Sequence, residues 1–176
     1  MLRRNLRRTG MQDPARGCAL LNDVSLLEPE RLVGLGFRYW MLGRMSGDVT
    51  AWEQAWHLYS GVFGLTGGQV ALGQLSSWVG ALGRAGQRKI VVQPRSYSGF
   101  CHDECVAISM IAACQHRTCP ALRACAFALV ECSLIDEVVE QAQGFADTLL
   151  NLDQVLMPSS IVVAPAAIAS ACQLPN

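Results

Sequence analysis

The chain has 176 residues, of which 51% are hydrophobic and 16% are charged, and its formal net charge at pH 7 is zero. This length accommodates one domain with a substantial core. No segment reaches the roughly 18–20 uninterrupted apolar residues of a membrane span, and the arginine-rich start lacks the apolar region of a secretory signal. The composition therefore predicts a single cytoplasmic domain, and its low charge favours an oligomer or a protein partner that covers apolar surface.

Charge is distributed unevenly along the chain. Residues 1–100 carry twelve of the fourteen basic residues and six acidic ones, whereas residues 101–176 carry two basic and eight acidic ones. Oppositely charged patches steer molecular encounters. The asymmetry therefore favours directional docking or self-association.

The first seventeen residues are predicted to form a flexible basic arm that contains Arg3, Arg4, Arg7 and Arg8. Such a run suits contact with nucleic acid or an anionic membrane, or a transit peptide. A solvated tail is the open alternative, and Met11 is an alternative start. A single helical domain is expected over residues 18–157, and a C-terminal tail over 158–176.

Three helices are predicted between residues 29 and 86. Pro29 suits the first turn of a helix, and Asp48 suits the N-cap of the second helix, which ends at Gly64. The third begins with the capping box Thr66 to Gln69. The apolar face expected for the second helix consists of Val49, Trp52, Trp56, Tyr59 and Phe63. All four tryptophans lie in these helices and are interpreted as core residues.

Residues 89–94 (KIVVQP) are rich in β-branched side chains and end in proline, which predicts a short extended segment. A near-copy, SIVVAP, occupies residues 160–165. The two segments could pair as a small ribbon, with coincidence in a linker as the alternative.

A second helical half is predicted over residues 101–152. Asp103 and Glu104 suit the first turn of a helix, where negative charge complements the helix dipole. Pro120 opens the next helix, and Ser133 or Asp136 starts the last one. The fold class is therefore all-α: a compact bundle of about five or six helices, with at most one short two-stranded ribbon.

Six of the eight cysteines fall between residues 101 and 132. A thiolate site for zinc, an iron–sulfur cluster or copper would draw on this segment. The candidate ligands are Cys101, Cys105, Cys114, His116 and Cys119. However, a helix across the eight intervening residues would place the two cysteine pairs about 12 Å apart, which strains a single site.

Two alternatives to a metal site remain open for the cysteines. Cys114, Cys125 and Cys132 fit a helix interior, where free cysteine behaves as a small hydrophobe. Cys119 lies close to His116 and Arg117 at a helix start, which fits a redox-sensitive thiol.

No nucleotide-binding, hydrolase or metalloprotease signature occurs in the sequence. The chain is therefore not assigned to an enzyme class, and the sequence favours a protein that is not an enzyme. The leading hypothesis is a small cytoplasmic helical protein that acts through protein binding or self-assembly, as an adaptor or regulator. The alternative is a thiolate metal-binding or redox-sensing protein that uses residues 101–119.

Overall fold

The computed structural model describes residues 28–162, so the arginine arm and residues 163–176 lie outside the described range. Within this range the chain forms five α-helices and no strand. The elements are α1 (Glu28–Ser46), α2 (Val49–Ala85), α3 (His102–Gln115), α4 (Cys119–Val130), α5 (Asp136–Asn151) and a 3-10 turn (Pro158–Ser160). The prediction of an all-helical bundle with five or six helices is confirmed.

Helix α3 occupies the centre of the bundle. Every residue from Asp103 to Cys114 is buried, and α1, α4, α5 and the 3-10 turn all pack against this helix. A helix that is apolar nearly all round is stable only when other elements enclose it. Helix α2 lies on the outside and packs against α1 and α5.

Glycines of α1 make room for aromatic side chains of α2. Ala51, Ala55 and Tyr59 form the buried stripe of the first half of α2. A Cβ atom at Gly36 of α1 would overlap the ring of Tyr59. Glycine at this position therefore makes room for the Tyr59 ring, which any larger residue would displace.

The apolar face expected for the first half of α2 is wrong in part. Tyr59 is buried as expected, but Val49 is 61% exposed and Trp52 is 37% exposed. The structure buries Ala51 and Ala55 instead, and the ring of Trp52 lies against Gly43 of α1. Of the four tryptophans, Trp78 is fully buried between Phe37 and Phe145.

Helix α2 is interrupted at Gly64, which has φ 70° and ψ 179°. This backbone conformation is essentially restricted to glycine. The predicted end of a helix at Gly64 is confirmed, and the helix predicted to follow it is the second half of α2, which continues to Ala85. At the start of α2 the predicted cap is present, since Asp48 Oδ1 accepts from Thr50 N at 3.0 Å.

The later helices follow the predicted pattern. Pro120 lies in the first turn of α4, and α5 begins at Asp136. The buried residues of α5 are Val138, Ala142, Phe145, Ala146 and Leu149.

The extended segment 89–94 has no partner strand within residues 28–162. Its N–H groups at Val91 and Gln93 donate instead to the carboxylates of Asp103 and Glu104, at 2.7 and 3.1 Å. The expected ribbon is therefore wrong for the described residues, because side chains of α3 take the place of a second strand.

Only the first part of the near-copy at residues 160–165 is described. There Val162 N donates to Ser109 Oγ of α3 at 3.1 Å. Residues 160–162 therefore contact the central helix through Ser109.

Candidate functional site

The five predicted metal ligands lie at opposite ends of α3. Cys101 is the N-cap of this helix and Cys105 lies in its first turns, whereas Cys114 and His116 lie at its C-terminal end and Cys119 begins α4. The nine-residue step from Cys105 to Cys114 corresponds to about 13 Å along the helix axis. The helix therefore holds the two groups apart.

Among residues 28–162 no three histidine, cysteine, aspartate or glutamate side chains come together as potential metal ligands. His116 is engaged otherwise, since its Nε2 lies 2.8 Å from the carbonyl oxygen of Leu156. The metal site stays a prediction of the sequence, and the described geometry adds no support to it.

The thiols differ sharply in their surroundings. Burial raises the pKa of Cys101 to about 11 and the pKa values of Cys114 and Cys125 to about 12. These groups are therefore protonated thiols at neutral pH, whereas thiolate is the nucleophilic form. Cys119 is a free thiol on the surface. The interpretation of Cys114 and Cys125 as buried hydrophobes agrees with this placement.

A buried ion pair joins α1 to the start of α3. The guanidinium of Arg38 donates from Nε to Glu104 Oε1 at 2.7 Å and from Nη2 to Glu104 Oε2 at 3.0 Å. Both side chains have no solvent exposure. This fork-to-fork geometry is the strongest arrangement that these two groups offer.

The same pair organises the loop that leads into α3. Arg38 also donates to the carbonyl of Tyr97 at 2.7 Å and to the carbonyl of Gly99, and its guanidinium lies 5.1 Å from the centre of the Phe100 ring. Glu104 accepts from Cys101 N at 2.8 Å. The charges of Arg38 and Glu104 are both matched by partners within the protein, which indicates that this ion pair has a structural role.

A second pair supports the same loop. Arg88 donates from Nη1 and Nη2 to the two carboxylate oxygens of Asp103, at 2.9 and 2.7 Å. The hydrogen bonds to Asp103 raise the pKa of Arg88 above its ordinary value. Asp103 therefore pairs with Arg88, and Glu104 pairs with Arg38. These ion pairs add to the favourable interaction with the helix dipole that the sequence predicts.

The chain after α5 is bound by polar side chains of α1 and of the central helix α3. Glu30 Oε1 accepts from Met157 N at 2.6 Å and from Ser160 Oγ at 2.8 Å. Ser109 Oγ donates to the carbonyl of Ser160 at 2.7 Å, and Gln115 Oε1 accepts from Leu156 N at 2.8 Å. These contacts fix residues 156–162 across the bundle.

A candidate binding surface lies on the solvent side of α2. Residues 54–83 contain no aspartate, glutamate, lysine or arginine. We define the outer face of α2 as the exposed residues of its second half between Leu65 and Ser77. These residues are Leu65, Thr66, Gln69, Val70, Gly73 and Ser77.

The outer face of α2 is apolar in part and otherwise small. Leu65 is 73% exposed and Val70 is 52% exposed. Apart from the backbone of its own helix, no part of residues 28–162 lies within 4 Å of the position where a Cβ would stand at Gly73. Ser77 Oγ donates to the Gly73 carbonyl at 3.1 Å, so its hydroxyl is satisfied within the helix.

A shallow depression of about 230 Å³ lies near the ends of α1 and α2. Its lining includes Met41, Arg44, Leu82 and Lys89. Small-molecule sites usually occupy about 300–1,000 Å³, so the depression is smaller than a typical ligand site. The outer face of α2 remains the stronger candidate.

Comparison of the chain with protein-family models, curated proteins and solved structures found no match. The fold class that the structure defines is an all-helical bundle built around the buried helix α3. None of the helices within residues 28–162 combines the length and apolar character that a membrane crossing requires.

Sequence reasoning missed both the buried pair and the outer face. Arg38 and Glu104 are 66 positions apart, and nothing local to either residue indicates the other. The outer face carries a detectable signal in the thirty uncharged positions from residue 54 to residue 83. The uncharged stretch is divided between two predicted helices when the halves of α2 are considered separately, so its full length is not evident.

Proposed function

We propose that this protein acts in the cytoplasm by binding another protein through the outer face of α2, as an adaptor, regulator or assembly subunit. The observation that carries the proposal is a long uncharged stretch on an exposed helix. Protein interfaces are depleted of charge at their centres, whereas surfaces that stay in water are not.

Ionised side chains lie elsewhere on the solvent-facing surface. Arg84 pairs with Glu137 at 2.5 Å and Arg123 pairs with Asp136 at 3.0 Å, all on exposed side chains. Such exposed pairs suit a surface that remains in water. The outer face offers a partner apolar side chains and no ionised group to desolvate.

Nothing in the described geometry favours the thiolate alternative beyond the sequence itself. The basic arm, with its predicted contact to nucleic acid or anionic membrane, lies outside the described residues. Protein binding is therefore the function that the described surface supports best.

The test is site-directed photocrosslinking in living cells. A benzophenone amino acid replaces Leu65, which is on the outer face, or Leu134, which is 77% exposed in the connection between α4 and α5. Irradiation is expected to give a discrete adduct from position 65 and none from position 134. Mass spectrometry then identifies the linked chain and its contact residues.

A second substitution tests whether the adduct depends on the outer face of α2 or arises from chance encounters. Val70→Arg adds a charge to the outer face five residues from the probe and should abolish the adduct. Val155→Arg, at a position that is 54% exposed on the segment after α5, should leave it intact. Equal crosslinking from both probe positions, or no adduct from position 65, would contradict the proposed function.

A further inference from the structure

We infer that the depression near the ends of α1 and α2 is a binding site for a small carboxylate that carries one aromatic ring or a short aliphatic chain. This site is separate from the outer face of α2, so the inference does not depend on the proposed function. Three observations carry it: an apolar floor, a limited volume, and two cations that have no carboxylate partner within residues 28–162.

Buried side chains form the floor of the depression. Met41, Leu82 and Ile90 belong to its lining and are at most 7% exposed. Met45, which is 45% exposed, lines it on the solvent side. Methionine side chains are flexible and adapt to the shape of an apolar ligand. The floor therefore favours a ligand that has an apolar body.

The volume of the depression limits the size of that body. It is about 230 Å³, whereas an engineered apolar cavity of about 150 Å³ binds benzene. Drug-sized ligands occupy about 300–1,000 Å³. The space therefore suits one ring, or a chain of similar size, together with one small polar group.

The charge of the lining selects an acidic group. The described cations that pair with a carboxylate are Arg38, Arg84, Arg88, Arg95 and Arg123. The basic residues without such a partner within residues 28–162 are Arg31, Arg44, Lys89 and Arg117. Two of these four, Arg44 and Lys89, line the depression, and its lining includes no acidic residue of the described range. The uncompensated positive charge favours an anion.

The third cation of the lining is already engaged. Arg88 binds both carboxylate oxygens of Asp103, at 2.9 and 2.7 Å. It also donates from Nε to the carbonyl of Ala128 at 3.0 Å and from Nη1 to the carbonyl of Lys89 at 3.2 Å. Arg88 therefore fixes the wall of the depression and the backbone that carries Lys89, which leaves ligand binding to Arg44 and Lys89.

Glycine at position 83 determines where the Arg44 guanidinium lies. A Cβ atom at Gly83 would stand 2.7 Å from Arg44 Nη2, 2.9 Å from Nε and 3.1 Å from Cζ. The guanidinium therefore rests against the bare backbone of α2. Arginine holds a carboxylate through two parallel N–H···O bonds, so we assign the acid group to Arg44, with Lys89 as a second positive charge.

Helix dipoles do not account for both cations. Arg44 lies in the last turn of α1, where positive charge complements the dipole. Lys89, however, follows the end of α2 at Ala85 and lies outside any helix. The dipole effect falls off within the last turn. A bound acid group gives a role to both side chains.

The test is an NMR titration of the isotope-labelled full chain with benzoate at constant ionic strength. We expect saturable shifts of amide signals from residues 41–45 and 82–90, with millimolar affinity because so small a ligand makes few contacts. Benzamide has the same shape without the charge, and acetate has the same charge without the ring. Each should bind at least tenfold more weakly. Absence of saturation with benzoate, or equal binding of either analogue, would overturn the inference.

Charge variants locate the site. Arg44→Met and Lys89→Met remove the charge and retain an apolar stem, and each should weaken benzoate binding at least fivefold. Arg31→Met is the matched control, because Arg31 is an exposed cation of α1 outside the lining. It should leave the affinity unchanged. Equal losses in the control and the site variants would indicate non-specific attraction of anions and would overturn the inference.

Gly83→Ala tests the geometry with both charges retained. Its methyl group would displace the Arg44 guanidinium but meets only the end of a flexible side chain, so the fold should be preserved. We expect unchanged helical circular dichroism and benzoate binding that is at least threefold weaker. Gly61→Ala, where only the helix's own backbone is close, should bind benzoate like the parent. Unchanged binding in Gly83→Ala would overturn the assignment of the acid group to Arg44.

A carboxylate beside an apolar group occurs both in a free acid and at the C-terminus of a peptide that ends in phenylalanine. Parallel titration with N-acetylglycylphenylalanine separates these sources. Tighter binding of benzoate identifies a free acid, and tighter binding of the peptide identifies a chain terminus. Both results support a carboxylate site, whereas failure of both ligands to saturate overturns it.

Discussion

Arg38 and Glu104 form a two-pronged ion pair in the interior of the bundle, with donor–acceptor distances of 2.7 and 3.0 Å and no solvent exposure on either side chain. The pair links α1 to the first turn of α3. Its remaining hydrogen-bonding groups bind the backbone of residues 93–101. One buried contact thereby sets the position of the central helix, an outer helix and the loop between α2 and α3.

Removal of one member of this pair should destabilise the protein strongly. Arg38→Met leaves the Glu104 carboxylate buried without its counter-charge, which costs about 3–5 kcal/mol in known buried pairs. Urea unfolding measures the loss in the free energy of unfolding. In the double variant Arg38→Met/Glu104→Met, the loss should be well below the sum of the two single losses.

The exposed pair of Arg84 and Glu137 is the control for this prediction. Its side chains are 58% and 52% exposed, so Arg84→Met should cost less than about 1 kcal/mol. Similar losses for Arg38→Met and Arg84→Met would show that burial of the first pair has no energetic consequence.

Two glycines of α2 should respond oppositely to the same substitution. Gly64 and Gly61 both have open space where a Cβ would stand, but only Gly64 has a positive φ, at 70°. Gly64→Ala should therefore cost about 1–3 kcal/mol in backbone strain. Gly61→Ala should raise the free energy of unfolding by about 0.5–1 kcal/mol. Thermal and urea unfolding of the two variants check the signs, and equal effects would argue against the break at Gly64.

Stability should fall on the alkaline side because of the buried thiols. Burial raises the pKa values of Cys114 and Cys125 from 9.0 to about 12. Between these limits the native state binds more protons than the unfolded chain, so the free energy of unfolding decreases with rising pH. The contribution of these thiols is complete below pH 9 and is lost as the pH approaches 12.

The measurement is urea unfolding at several values from about pH 7 to about pH 11. Cys125→Ala removes one of the buried thiols, so the decline of the free energy of unfolding should be shallower than in the parent chain. Cys119→Ala removes a surface thiol and serves as the control, with a decline parallel to that of the parent. An equally steep decline in Cys125→Ala would contradict the role of its burial.

Loss of the Ser109 hydroxyl should destabilise the protein more than the small size of this side chain suggests. Its hydroxyl donates to the Ser160 carbonyl at 2.7 Å and accepts from Val162 N at 3.1 Å. Ser109→Ala leaves both backbone groups without this partner, at an expected cost of about 1–3 kcal/mol. Amide hydrogen exchange at residues 156–162 should accelerate. Ser77→Ala, on the exposed side of α2, should leave that exchange unchanged.

The positions of the helices follow from local signals in the sequence. Asp48 caps α2, Pro120 lies in the first turn of α4, and Gly64 interrupts α2 where the apolar pattern breaks. Each of these effects acts within one or two helical turns, through a missing N–H, a capping oxygen or a backbone angle that only glycine tolerates. A single sequence therefore determines the all-helical class and most helix boundaries.

The neighbouring helices decide which side of a helix is buried. The first half of α2 buries Ala51 and Ala55 and exposes Val49 and Trp52, although hydrophobicity alone favours the opposite. On α1, glycines make room for the large rings of this helix, since Gly36 lies against Tyr59 and Gly43 lies against Trp52. The partners of Asp103 and Glu104 likewise became evident only in three dimensions. Capping and backbone preferences act between near neighbours in the chain, whereas close packing and charge pairing join residues that the fold alone brings together.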